Sequence, residues 1–148
     1  MEVLKMGFAS SWKGAQVRRR AILLAAILLT LVMVGGVALA QTLVGDDRDN
    51  RLIGSNDRDQ IVGGGGDDLI RGLRSVDALV GGDGKDTIYA GPRDEVAEDL
   101  VAAGEGDDVV RVFNRPAARD LVDCGDGRDR AVADRRDVLT NCDRVRRP

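Results

Sequence analysis

From Gly45 to Tyr89 the chain repeats itself every nine residues without a break, as GDDRDNRLI, GSNDRDQIV, GGGGDDLIR, GLRSVDALV and GGDGKDTIY. The pattern is G-G-x-G-x-D-x-U-x, with U a large apolar residue, and the copy Gly81 to Tyr89 satisfies every defined position. A unit this short cannot enclose a core of its own. Its apolar residue stays wet unless neighbouring copies stack, so the period dictates a solenoid. Each copy reads as a turn followed by a short strand, with two copies to a coil. Copies n and n+2 then lie on the same side, ~4.8 Å apart across the sheet. The eighth-position residues Leu52, Ile61, Ile70, Leu79, Ile88, Val110 and Ala131 point inward as a narrow apolar core. The expected fold class is all-β: a right-handed parallel β-roll or β-helix solenoid of nonapeptide repeats, preceded by an N-terminal hydrophobic signal helix.

Composition limits the chemistry such a roll can carry. Of 148 residues none is histidine. That excludes Ser-His-Asp and Cys-His nucleophiles, histidine bases and His-ligated zinc or iron. Beyond residue 40 there are 24 acids against 17 bases, and Tyr89 and Phe113 are the only aromatic residues. Such a balance repels nucleic acid and attracts cations. With so few large apolar side chains, something besides apolar burial has to stabilise the fold.

The turns supply the ligands of a hard cation. Glycines at positions one, two and four permit φ > 0, so carbonyls can converge, and the sixth-position carboxylate adds charge. Two aspartates one coil apart stand ~4.8 Å from each other, and an ion midway would be ~2.4 Å from each, the calcium–oxygen distance. Magnesium requires shorter bonds and strict octahedral geometry. The sixth positions of the array are Asn50, Asp59, Asp68, Asp77 and Asp86. Asp68 with Asp86 is the strongest expected pair, because Gly63, Gly64, Gly66, Gly81, Gly82 and Gly84 complete both turns. Asp59 with Asp77 is weakened by Leu73 and Ser75, which stand where glycine belongs, and Asn50 with Asp68 has one carboxylate fewer. Ordinary turns also favour Asp and Gly together. Five copies in register argue otherwise, since stacked carboxylates without a counter-ion repel one another.

A second block opens at Ala103 as AGEGDDVVR and continues through RPAARDLVD, CGDGRDRAV and ADRRDVLTN. There Asp108 and Asp129 sit in glycine-bearing turns, whereas the Asp120 turn has no glycine. The expected organisation is a signal peptide or membrane anchor over 1–40 and a calcium-binding roll over 41–111, loose at 90–102. Degenerate repeats and a cap over 112–148 complete it. Cys124 and Cys142 are 18 residues apart, one full coil, so a continuous roll stacks them within disulfide range.

The nonapeptides resemble the haemolysin-type calcium-binding repeats of the repeats-in-toxin (RTX) family. That resemblance implies calcium as the bound ion and a β-roll as the fold. It does not extend to toxin activity, because no effector domain accompanies the repeats. Arg18-Arg19-Arg20 followed by the uncharged run 21–40, ending Ala38-Leu39-Ala40, reads as an export signal cut before Gln41 or as a retained anchor. Either one places the repeats outside the cytoplasm.

Competing motifs fail on spacing. In Gly81-Gly82-Asp83-Gly84-Lys85-Asp86-Thr87, Asp86 separates the lysine from the hydroxyl that a Walker loop requires next to it. No window satisfies an EF-hand. The expected function is calcium binding by an extracellular roll that folds on calcium after export, without catalysis. The alternative is a calcium-dependent carbohydrate-binding or polysaccharide-degrading accessory protein. The expected partners are calcium ions, with no nucleic acid, and with membrane contact only through residues 21–40. A cell-surface or glycan partner is compatible with both readings.

Overall fold

The computed structural model describes residues 41–94 and 96–148. The expected signal helix over 1–40 lies outside the described residues. Among those described, no helix is long and apolar enough to cross a membrane.

Twelve strands wind into a parallel β-solenoid of about six turns. The first sheet holds β1 (Gln41–Val44), β3 (Asp59–Gly65), β5 (Ala78–Asp83), β7 (Leu100–Glu105), β9 (Leu121–Asp126) and β11 (Val138–Thr140), in that order. The second holds β2 (Arg51–Ile53), β4 (Leu69–Arg71), β6 (Thr87–Tyr89), β8 (Val109–Arg111), β10 (Arg130–Val132) and β12 (Arg144–Arg146). The register is the one the period demands: Ile61 pairs with Leu79 and Leu52 with Ile70, each 18 residues on. Alternation along these short strands then sends one side chain per strand inward.

Ile61, Leu79, Val101 and Val122 face Ile70, Ile88, Val110 and Ala131 across the interior, and all are buried. Leu43, Leu52, Leu139 and Cys142 close the two ends of the core. A second interior column comes from the first position of each repeat. It is glycine at 45, 54, 63, 72 and 81, then Ala90, Ala103, Val112, Cys124 and Ala133. At this position the N-terminal coils are filled by carboxylate and carbonyl oxygens and the C-terminal coils by small side chains.

The two expected blocks form a single ladder. Residues 90–94 and 96–98 lie outside the strands on one edge of the roll, and the strand resumes at Leu100, inside the span expected to be loose. Strand pairing continues from β8 to β10 and from β9 to β11. A disulfide joins Cys124 to Cys142, with a Cα–Cα distance of 5.1 Å. It cross-links successive coils of the first sheet, where the side chains of the core are smallest.

Leu73 and Ser75 adopt φ of 81° and 82°, the left-handed conformation that glycine holds in the regular turns. The turn is thus kept in shape rather than distorted, at a cost in backbone strain of order 1 kcal/mol per residue. Leu73→Gly is expected to raise stability by ~0.5–1 kcal/mol, the relieved strain being partly offset by lost contact and unfolded-chain entropy. Urea unfolding in saturating calcium measures this, and a lowered midpoint would contradict it.

Candidate metal centre

Each edge of the solenoid stacks a column of sixth-position side chains. The first edge carries the turns from β1 to β2, β3 to β4, β5 to β6, β7 to β8 and β9 to β10. Their sixth positions form one column: Asn50, Asp68, Asp86, Asp108 and Asp129, continued by Asp143. The opposite edge stacks Asp59, Asp77, Asp99, Asp120 and Asp137. From Asp59 to Asp137 these aspartates are buried on both edges, Asp59, Asp86, Asp120 and Asp129 completely.

A hydrogen-bond ladder holds each column. The backbone N–H of one aspartate donates to the carboxylate of the aspartate one coil on. Asn50 donates to Asp68 Oδ1 at 2.7 Å, Asp68 to Asp86 at 2.9 Å, Asp86 to Asp108 at 2.7 Å and Asp108 to Asp129 at 2.9 Å. Asp59 to Asp77 and Asp77 to Asp99 repeat the motif at 2.9 Å on the opposite edge. Sequence spacing puts an ion midway between two carboxylates. The structure instead commits one oxygen of each carboxylate to the neighbouring backbone. The other oxygen is what remains for a cation.

On the first edge that oxygen has no partner. Oδ2 of Asp68, Asp86, Asp108 and Asp129 is buried without any hydrogen bond. A buried carboxylate oxygen left so is costly and marks an absent ligand. The first two turns differ because they close on themselves. Ser55 donates its backbone N–H to Asp59 Oδ2 and its hydroxyl to Oδ1, while Asp46 N–H donates to Asn50 Oδ1.

The glycines explain the space. A Cβ at Gly63 would collide with Asp68 Oδ2 and the Gly81 carbonyl oxygen, and one at Gly81 with Asp86 Oδ2 and the Ala103 carbonyl oxygen. First-position glycine is therefore needed for room. Neither Gly63 nor Gly81 has positive φ, contrary to the expectation that all three turn glycines do. Positive φ belongs to positions two and four: Gly64, Gly66, Gly82, Gly84, Gly104, Gly106, Gly125 and Gly127 lie between 88° and 143°. At Gly82 and Gly84 a side chain would also strike the carbonyls of Gly64 and Gly66 in the coil before. Carbonyl oxygens are thus packed coil upon coil beside the carboxylates.

Among the described residues no three carboxylates or thiols converge on one point. The donor set that fits a cation here is mixed, with one orphaned carboxylate oxygen beside backbone carbonyls. This is a hard-oxygen set that suits calcium. Asp68/Gly63 and Asp86/Gly81 keep the cradle open, whereas Ala103 and Cys124 place a Cβ in the equivalent space beside Asp108 and Asp129.

Electrostatics agree. Burial, opposed by the Asp68 N–H bond and reinforced by the neighbouring Asp108 and Asp68 charges, pushes Asp86 up to about 7. Asp108 is pushed up to about 6, by burial first and then by Asp129 and Asp107, against the bond from Asp86 N–H. Asp68 and Asp129 are raised for the same leading reason. A divalent ion would supply the positive charge these columns lack.

The sequence period did not single out Asp99, Asp137 or Asp143 as column members. A longer coil of 22 residues separates Asp99 from Asp77, and shortened coils of 17 and 14 residues lead to Asp137 and Asp143, so the nine-residue count is broken before each of them. A shorter signal survives: an acid two residues before an inward apolar residue, as in Asp99-Leu100-Val101 and Asp137-Val138-Leu139. The same spacing recurs in Asp143-Arg144-Val145, where Val145 is exposed at the end of the roll. The second-block members Asp108 and Asp129 prove to stand in the same column as Asp68 and Asp86.

A family model, the RTX calcium-binding nonapeptide repeat, matches residues 44–77 and 71–92. No curated protein and no solved structure matches the chain. The match stops within the loop that follows β6, where the nine-residue count is lost, although the aspartate column runs on to Asp143. The chain carries haemolysin-type RTX calcium-binding nonapeptide repeats, and calcium is the ion that they bind.

Proposed function

We propose that the chain is an extracellular calcium-binding scaffold that folds on calcium after export, with no catalytic activity of its own. The observation that carries this is the row of buried Oδ2 atoms without a hydrogen bond at Asp68, Asp86, Asp108 and Asp129. Bound calcium supplies positive charge to that row. The protein's own part is to orient each carboxylate through the N–H ladder and to bring carbonyls beside it through glycine turns. The winding is right-handed by the rule for parallel crossovers. Export is supported by the arginines at 18–20, the apolar run 21–40 and the Cys124–Cys142 disulfide, a bond that persists in oxidising compartments. Absence of histidine and the structural use of the buried aspartates support a non-catalytic role.

Calorimetric titration of the full chain with calcium tests the reading, and absence of calcium uptake in the millimolar range would overturn it. The two edges should respond unequally. Asp86→Asn is expected to raise the half-saturating calcium concentration about tenfold, by removing one charged ligand. Asp120→Asn is expected to change it less than twofold. Asp120 already accepts hydrogen bonds from Asp99 N–H and Asn114 Nδ2, and its turn has no glycine cradle. Equal shifts would move the site away from the first edge.

A further inference from the structure

The outward face of the second sheet has a composition that calcium binding does not use. Its two outward columns read Arg51, Leu69, Thr87, Val109, Arg130, Arg144 and Ile53, Arg71, Tyr89, Arg111, Val132, Arg146. Six of the twelve are arginine and none is acidic. All six arginines are exposed. Arg130 and Arg144 are direct cross-strand neighbours, an arrangement that destabilises a sheet unless an anion covers it. By contrast, the outward face of the first sheet has no arginine or lysine, and the turns of the calcium edge hold twelve acids against three bases.

The arginines are also held in place. Tyr89 lies between Arg71 and Arg111, whose guanidinium carbons stand 5.2 and 5.4 Å from its ring centre. Arg115 lies 5.2 Å over Phe113. At the C-terminal end of the face, Arg93, Arg111, Arg115 and Arg146 line a cleft of about 300 Å³ together with Phe113, Val132 and Pro148. Arg115 N–H donates to the Arg93 carbonyl, which ties the two loops that bring these residues together. Arg74–Asp94 and Arg128–Asp107 are ion pairs among the described residues, and neither involves one of the four cleft arginines.

We propose that this face binds a single extended chain of acidic polysaccharide, with its carboxylate or sulfate groups on the arginine forks and one such group in the cleft. A guanidinium presents a planar pair of donors that matches a two-oxygen anion. The strip is narrow: three residues per strand make it ~10 Å wide, and six stacked strands make it ~24 Å long. A linear polymer fits that outline. A nucleic-acid duplex or a bilayer would overhang it and meet the acidic edge. Single-stranded nucleic acid needs bare aromatic faces for stacking, and here guanidinium groups already cover Tyr89 and Phe113.

The test uses the full-length, calcium-saturated chain and fluorescence anisotropy with labelled oligogalacturonate and dextran sulfate oligomers. Uncharged dextran, single-stranded DNA and phosphatidylglycerol vesicles are the comparison arms. The expected result is binding of one or both acidic saccharides that weakens with salt, with no binding of uncharged dextran. The two saccharide arms separate carboxylate from sulfate recognition. Arg111→Ser with Arg146→Ser is expected to lower affinity at least tenfold, while Arg58→Ser, away from the face, changes nothing. Circular dichroism confirms that the double variant folds. Should it not fold, Arg111→Lys with Arg146→Lys replaces it, keeping charge, losing the fork and still weakening binding. Asp83→Asn with Asp126→Asn separates this face from calcium bridging at the acidic edge, and is expected to leave binding intact. Unchanged affinity in the arginine variants, loss of binding in the aspartate variant, or tighter binding of DNA or vesicles would each overturn the proposal.

Discussion

Stripped of calcium at pH 8, the repeat region is expected to lose most of its β structure and to regain it in millimolar calcium. The driving term is charge. On the first edge four aspartates stack coil upon coil behind Asn50, each buried and each with an orphaned oxygen. Two carboxylates one coil apart repel by roughly 3 kcal/mol at the effective dielectric of a protein. The opposing apolar term is small, since the core has one large inward side chain per strand, adds only alanine, valine or cysteine at the first position, and shrinks to Ala131 and Ala133 near the C-terminus. When a metal binds the folded chain and not the unfolded one, its binding free energy becomes folding free energy. Far-UV circular dichroism of the full chain across a chelator-to-calcium titration measures the transition. An unchanged spectrum would mean that the apolar core alone holds the coils.

The loss should be graded along the solenoid. At the N-terminal end the first-position column is glycine, and the space is taken by carboxylate and carbonyl oxygens. At the other end it is alanine, valine and cysteine, closed by the Cys124–Cys142 bridge. An 18-residue loop so closed is stabilised by about 3 kcal/mol in the chain-entropy estimate. Calcium and the bridge therefore support opposite ends of one ladder.

This grading separates what the sequence could reveal from what it could not. The inward column from Ile61 to Ile88, the coil of two repeats and the stacking of the two cysteines follow from a count of nine, or of eighteen. The count fails where loops lengthen on the second edge, so Asp99 was invisible to it and Asp108 was assigned to a separate block. Backbone hydrogen bonding was also out of reach. Nothing in residue spacing shows that Asp86 Oδ1 would be taken by the Asp68 N–H, or that Gly63 and Gly81 serve room rather than φ. The arginines of the second sheet read in sequence as scattered surface charge. Only the parallel register gathers them on one face.

Acid is expected to substitute for calcium. Asp86 and Asp108 are raised to about 7 and about 6, chiefly by burial, against ~3.9 for an unfolded aspartate. Between pH 4 and 7 the metal-free folded chain thus binds more protons than the unfolded chain. By linkage its stability rises as pH falls through 7 and then 6, and levels off below about 4. The sign is opposite to that of a salt-bridged aspartate, which acid destabilises. Calcium requires these same groups ionised, so protons compete with it. From pH 8 to pH 5 the half-saturating calcium concentration should rise on the order of a hundredfold or more, about tenfold per pH unit below each raised pKa. Metal-free protein should gain β signal over the same interval in which calcium is lost. Parallel titrations at pH 8, 6.5 and 5, with and without chelator, read both effects. A chelated protein that is less structured at pH 5 than at pH 8 would show that the buried carboxylates do not control the fold, and an affinity for calcium independent of pH would place the ion on other ligands.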